Sequence, residues 1–417
     1  GIYRQLVLAP GHENPVPDDR GGIVRKGSEI MNLVIDCFKL VKGAGKSIGI
    51  YNLAKSVTEH LGGKAEEEIA SGGKADKVLH TVIVFGNAHN KEDFDVPGVT
   101  FVEMKGNPLN KIYCILWELF LVKKYAKRYQ ADRVLFPRGY RPIGRKGSLG
   151  RCRGGRKIRD TVIIHDLIPF YYPGVFHKLE NAYIMYRLKI SMKKADGIIT
   201  ISEYSKEDIM DKVPGCGKKI KVIYNGMNDV SFRPERKGAK KEKKEYIVAM
   251  TSGLPHKNAR GVLRAYEAYC RRTDRPLDLV VVGIEDTSAY KEMGAEAASH
   301  VTCYKFFKAF DEMCRVVAGA KAYLFLSYME GFGFPPLEAM QLGVPVVCSD
   351  RASLPEVVAD AGVLVDPDDL GGVADALVKV TGEEETRKEL VRKGYENIKR
   401  FSWDSRTDLY WKELFHE

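Results

Sequence analysis

The chain alternates short, mainly apolar runs with longer stretches in which apolar residues recur every three or four positions. The runs begin with Asn32–Asp36, His80–Phe85, Val99–Val102, Arg133–Phe136, Thr161–His165, Gly197–Ile201 and Ile220–Tyr224. A second series follows: Tyr246–Met250, Leu277–Val282, Val301–Tyr304, Ala322–Leu326, Val344–Cys348 and Gly362–Val365. Strands that are apolar at successive positions are covered on both faces, which is the situation of a parallel sheet flanked by helices. The intervening stretches have helical spacing, as in Asn52–His60, where Leu53, Val57 and Leu61 share a face. The pattern therefore predicts an α/β protein with two parallel-sheet domains, residues 31–228 and 246–400.

Two segments break the pattern. Residues 1–30 are rich in proline, glycine and charge without a sustained period, and read as an extension ahead of Met31. Residues 229–245 include Arg236-Lys-Gly-Ala-Lys-Lys-Glu-Lys-Lys-Glu245, too charged to pack, and read as the linker. A length of 417 residues agrees with more than one core. The eight cysteines, 37, 114, 152, 216, 270, 303, 314 and 348, form no Cys-x-x-Cys pair and are expected to be free buried thiols. Ile112–Val122 is the most apolar helical run. It is short and contains Glu118, so it is expected to be a buried helix and not a membrane crossing.

A net charge of +11 favours anionic partners: a nucleotide, an acidic polymer or an anionic bilayer surface. Much of the excess lies in the glycine-rich stretch Arg138–Arg159, an exposed loop that either is simply solvated or meets an anionic acceptor or lipid head groups. Nucleic acid is not an expected partner, because no aromatic–basic recognition motif accompanies the charge. Gly45-Lys46-Ser47 suggests a phosphate loop, but the glycine required five residues earlier is Leu40, which excludes an ATPase of that type.

The stretch with the densest chemistry is Ser327-Tyr-Met-Glu330-Gly-Phe-Gly-Phe-Pro-Pro-Leu-Glu338-Ala-Met340. It reads as a strand end, a turn with Gly331 and Gly333, and a helix opened by Pro335 and Pro336. The free N–H groups of a helix start suit a phosphate or a sugar oxygen. Glu330 and Glu338 flank that seat and suit hydroxyl groups, so a phosphorylated polyol such as a nucleotide sugar fits. Lys257, which follows a glycine turn and precedes a predicted helix, suits a diphosphate. His165 closes a predicted strand at its carboxyl end, where ligands gather in parallel sheets.

The Glu330-to-Glu338 string resembles the donor-binding signature of retaining glycosyltransferases of family four, in which two glutamates are separated by seven residues. The resemblance runs from Met31 to the end and is strongest from Lys257 to Asp366. It implies the GT-B architecture, two Rossmann-like domains facing across a cleft, with a closing helix near 401–417 crossing back to the first domain. It implies catalytic roles for His165 and Glu330, with Asp166 orienting the histidine ring. Donor contacts are implied for Gly49, Lys257, Gly331, Phe332, Gly333, Phe334, Leu337 and Glu338. The family's basic pair before Asn258 is Lys257 with His256 in place of an arginine. The implied reaction moves a hexose, mannose among the candidates, from a nucleoside-diphosphate sugar to a saccharide or lipid-linked acceptor. No cofactor or metal is expected, and the expected setting is polysaccharide or glycolipid assembly in the cytoplasm, peripheral at the inner face of the plasma membrane. The alternatives are a nucleotide-sugar epimerase of the same fold and, on charge alone, a nucleic-acid-binding protein.

Overall fold

A computed structural model describes residues 30–43, 48–71, 78–144, 147, 149–151, 155–228 and 245–416. The extension expected at 1–30, apart from Ile30, and the linker expected at 229–245, apart from Glu245, lie outside them. Among the described residues, thirteen strands form two sheets, and every strand pairing is parallel.

The first sheet contains β1 (Ile30–Asp36), β2 (Leu79–Gly86), β3 (Val99–Glu103), β4 (Arg133–Phe136), β5 (Arg159–Ile164), β6 (Gly197–Thr200) and β7 (Ile220–Val222). Their order is β3-β2-β1-β4-β5-β6-β7. The second contains β8 (Tyr246–Met250), β9 (Asp278–Val282), β10 (Val301–Tyr304), β11 (Ala322–Phe325), β12 (Val346–Ser349) and β13 (Gly362–Val365), in the order β10-β9-β8-β11-β12-β13. In each sheet the chain winds outward from its first strand in one direction, returns, and winds outward in the other. The reversal leaves a crevice at the carboxyl ends of the strands beside β1 and β8, the usual ligand position in such sheets.

Burial explains why these runs form central strands. Leu33, Val34 and Ile35 are successive in β1 and all fully buried, and the same holds for Val346, Val347 and Cys348 in β12. β12 begins two residues later than the apolar run because Pro345 has no N–H for the ladder; its carbonyl still accepts from Tyr323 N at 2.9 Å. The seven described cysteines are free thiols.

The chain end returns to the first sheet. The helix Trp403–Trp411 packs against the helix Ile48–Ala70, with Trp403 stacked on His60 at 4.7 Å between ring centroids. Phe415 is buried beside His80 of β2 at 4.6 Å. A second tie joins the halves. The Glu356 carboxylate, from the second half, accepts from the backbone N–H groups of Glu203 and Tyr204 at 2.9 Å each, and from Tyr224 Oη at 2.9 Å. Those amides start the helix Glu203–Lys212, whose own cap Ser202 accepts from Ser205 N. A carboxylate there is doubly favoured, by hydrogen bonds and by the helix dipole.

One expectation, the buried helix at Ile112–Val122, holds for one side only. Residues 111–128 form a continuous helix with a π-turn at Trp117–Leu121. One side packs into the core through Trp117, Val122 and Ala126, with Glu118 buried beside them. The other side is apolar but open: Ile112 is 72% and Phe120 63% exposed, and Leu109, Ile115 and Leu116 are exposed with them.

Candidate active site

β11 feeds directly into the turn that carries Glu330. Gly333 takes φ +109°, a left-handed angle that suits glycine, and serves as N-cap of the helix Phe334–Gln341. Pro335 and Pro336 fall in its first turn. Gly343, at φ +72°, follows its end. The Ser353 hydroxyl lies 2.9 Å from the Glu330 carbonyl and 2.8 Å from that of Phe332, pinning the turn from the segment after β12.

Gly331 is required for a different reason. A Cβ at this position would overlap the carbonyl oxygen of His165. The turn of the second half therefore touches the strand end of the first half main chain to main chain. This contact brings His165, Asp166 and Glu330 to one place.

The carboxylates of the string differ in state. Glu330 is largely buried and its Oε1 accepts from Lys257 Nζ at 2.6 Å. The Lys257 ammonium also lies over the Phe325 ring, 5.9 Å from its centroid. Glu338 borders an apolar hollow lined by Met250, Phe310, Met313, Tyr323 and Pro335. No donor among the described residues reaches its carboxylate, and burial raises its pKa.

Lys257 is held by its neighbours. Asn258 takes a left-handed φ of 55°, caps the helix Ala259–Cys270 through Gly261 N, and donates from Nδ2 to the Leu326 carbonyl at 3.1 Å. His256 is buried, and its carbonyl accepts from Tyr328 N at 2.8 Å and Ser327 Oγ at 2.9 Å. Its ring lies 5.4 Å from that of Tyr172, in the first half. Burial, helped by the Lys257 charge, lowers the His256 pKa. The residue standing where the family has an arginine is thus neutral, and Lys257 is the cation of this pair.

His165 follows β5. Its Nε2–H donates to the Pro137 carbonyl at 2.8 Å, which fixes the tautomer and turns Nδ1 away from that bond. Burial pushes its pKa down to about 4, so the ring is neutral at physiological pH. The orienting role expected of Asp166 does not occur: its Oδ1 accepts from Ile168 N at 3.0 Å, an Asx-type turn. Burial and then the nearby Glu330 charge raise Asp166 to about 6.

The remaining predicted residues divide by what they expose. Phe332 packs inward against Phe334 and Phe401 at 5.1 and 5.4 Å, and Leu337 is fully buried. These two can meet a ligand only through their backbones. Gly49 lies in the first turn of the helix Ile48–Ala70, with open space where a Cβ would be. The adjoining Ser47 is outside the described residues.

Two family models match the chain: "Glycosyltransferase Family 4" over residues 74–230 and "Glycosyl transferases group 1" over 232–397. The chain belongs to this glycosyltransferase family. It is 31% identical over 218 residues to the O-antigen chain mannosyltransferase RfbU of Salmonella typhimurium, covering 50% of this chain and 57% of that one. It is 27% identical to O-antigen chain mannosyltransferase B of Escherichia coli, covering 60% and 68%. The chain thus spans little more than half the length of the Salmonella relative it matches. Its fold is that of sucrose-phosphate synthase from Thermosynechococcus elongatus, at a TM-score of 0.61, 18% identity and coverage of 92% and 98%. The lipopolysaccharide glycosyltransferase WaaG gives 0.59 at 12% identity, covering 93% and 100%. These are GT-B glycosyltransferases, and this chain has their two-sheet architecture.

This family member also carries a charged cluster outside the glycine turn. Glu118 pairs with Lys39, just after β1, and with Arg187. Arg138, just after β4, donates to the Lys39 carbonyl at 3.2 Å. Asp36, ending β1, accepts from Trp117 Nε1 at 3.1 and 3.2 Å, and burial raises it to about 6. The sequence signal was an acid or base at the end of a buried strand, the criterion already applied to His165.

Proposed function

We propose that the chain transfers a hexose from a nucleoside-diphosphate sugar to an acceptor hydroxyl in cell-surface glycan assembly, with retention at the anomeric carbon. The observation that carries this reading is the contrast between the two acids. Glu330 is held by Lys257 at the glycine turn, whereas Glu338 faces an apolar hollow without a donor. A half-buried carboxylate in apolar surroundings that no protein donor reaches is open to hydrogen bonds from a ligand. Two ribose hydroxyls would supply them, with the base in the hollow. Mannose is supported by the names of the two O-antigen relatives.

The diphosphate would lie across the start of the helix Phe334–Gln341, where backbone N–H groups and the Lys257 ammonium oppose its charge. Preorganised charge of this kind is a large part of transferase catalysis. With Lys257 and the helix start supplying that charge, no metal or cofactor is invoked. The bond from the anomeric carbon to the phosphate oxygen breaks, the acceptor oxygen forms the new bond on the same face, and its proton passes to the departing phosphate oxygen. Neutral His165 lines the transferred sugar and excludes water. The acceptor is a saccharide or a lipid-linked saccharide, and the work is done in the cytoplasm at the inner face of the membrane. No helix among the described residues is long and apolar enough to cross a membrane.

The test is a panel of nucleotide sugars screened by thermal shift, since a ligand of the folded state raises the melting temperature. The best donor is then incubated with and without acceptor. Product only with acceptor supports the transferase. Donor rearranged without acceptor would establish an epimerase instead.

A further inference from the structure

The helix 111–128 is apolar on two sides. Its inner side buries Trp117, Val122 and Ala126 in the core, with Glu118 among them neutralised by Lys39 and Arg187. Its outer side carries Ile112, Ile115, Leu116 and Phe120, continued by Leu109 in the loop before it. Burying such side chains is favourable, so exposing several together forgoes a large gain. The patch also extends to a second helix. Lys178–Lys194 presents Leu179, Tyr183 and Tyr186 outward, at 87%, 42% and 57% exposure. Tyr183 Oη lies 3.3 Å from Glu118 Oε2, which sets the two faces side by side.

The charges around this surface are mostly positive, Glu180 beside Leu179 on the second helix being an exposed acid. Lys111, Lys124, Lys127 and Arg128 are exposed on the first helix, which has no acid other than Glu118. The basic loop packs along the same edge: Lys123 donates to the Ile143 carbonyl at 2.9 Å, and Lys194 to that of Gly144 at 3.2 Å. Arg151 in this loop is exposed. An apolar face rimmed by lysine and arginine matches an interface whose interior is hydrocarbon and whose surface is negative. A soluble acidic partner would use the charges and leave Ile112 and Phe120 in water. The patch also reaches the cleft through a short chain of contacts. Glu118 binds Lys39, Arg138 binds the Lys39 carbonyl, and the preceding residue, Pro137, accepts from His165.

We propose that this two-helix face is a docking surface for an anionic lipid bilayer, and that it holds the first-domain side of the cleft at the membrane. It gives the membrane contact of the proposed function a specific surface. Its test is independent of transferase activity.

The full chain is mixed with vesicles of phosphatidylcholine, with and without phosphatidylglycerol, and separated by flotation. Wild type should float with the phosphatidylglycerol vesicles, less so as salt is raised, and stay behind with phosphatidylcholine alone. Ile112→Glu and Phe120→Glu should each weaken binding roughly tenfold or more, since each removes one apolar anchor and adds a like charge. Their melting temperatures should match wild type, because both positions are already in solvent. Activity on a water-soluble acceptor should be unchanged. Wild type that ignores anionic vesicles, or binding that survives both substitutions, overturns the proposal. A wild-type dimer that Phe120→Glu dissociates, with no vesicle binding, overturns it in favour of a second copy on this face. Vesicle binding without any transferase activity leaves the surface standing and removes the functional reading instead.

Discussion

The Lys257 ammonium lies 2.6 Å from Oε1 of Glu330, so the cation expected for the diphosphate and the acid expected for the sugar neutralise each other before any donor binds. The pair spans 73 residues of sequence and is fixed at both ends, by the Asn258 bond to Leu326 and by the Ser353 hydroxyl beneath the Glu330 carbonyl. Its geometry is set by the fold and needs no ligand to assemble.

Lys257→Ala removes the positive end and leaves Glu330 as an uncompensated charge next to the incoming diphosphate. The expected loss in kcat/KM is on the order of 100-fold or more, comparable to deleting one preorganised donor for a developing negative charge. Steady-state kinetics with the identified donor checks it. A melting-temperature drop with unchanged kinetics would show the lysine to be structural.

Glu338→Gln should act in opposite directions on stability and on binding. Without a donor, the substitution removes a carboxylate that burial disfavours, so the melting temperature should rise. Hydrogen bonds between ligand hydroxyls and a charged acceptor are worth about 1.5–3 kcal/mol, so donor affinity should fall about tenfold or more. Calorimetry with the donor and a thermal melt of the free protein give the two readings. A melt that falls would mean that the carboxylate has a protein partner.

Gly331→Ala places a methyl group against the His165 carbonyl. Relieving such an overlap costs about 1–3 kcal/mol, and separating the two halves is the simplest relief. The expected result is a larger radius of gyration by small-angle scattering and a strong loss of turnover, with the circular dichroism of both sheets intact. Unchanged turnover would show that the two halves need not meet at this point.

His165 and Asp166 are adjacent yet should tilt the pH dependence of stability in opposite senses. Burial holds His165 near 4, below its ordinary 6.5, so between those values the unfolded chain binds more protons. Its contribution is therefore lost as pH falls from 6.5 towards 4. Asp166 is raised from 3.8 to about 6, so the folded chain binds more protons in that window, and this contribution is lost as pH rises through 6. Urea unfolding between these limits should show His165→Gln flattening the loss of stability on acidification and Asp166→Asn steepening it. Identical slopes in the two variants would contradict both assignments.

The central strands, β4, β6, β11 and β12 among them, were visible as apolar runs because every residue in them is buried; the edge strand β10, with Thr302 and Tyr304 exposed, was legible from its place in the alternation with helices. The glycine turn and its two acids were legible for a related reason. Left-handed φ at Gly333 and the main-chain contact at Gly331 leave glycine few substitutes. What stayed hidden depends on partners distant in the chain. Glu118 read as an interruption in an apolar helix because Lys39 and Arg187 lie 79 and 69 residues away. Of the apolar run around it, Trp117 and Val122 proved to be core, whereas Ile112, Ile115, Leu116 and Phe120 proved to be surface. Asp166 looked like the partner of its neighbouring histidine, whereas the histidine reaches across to Pro137.

The Glu356 carboxylate serves as the terminal ligand of a helix that belongs to the other half of the molecule. Hinge opening would strip the amides of Glu203 and Tyr204 of their acceptor, so the first turn of that helix would fray whenever the halves part. Deuterium uptake at these two amides is then a clock for the opening motion, readable without any donor, acceptor or turnover.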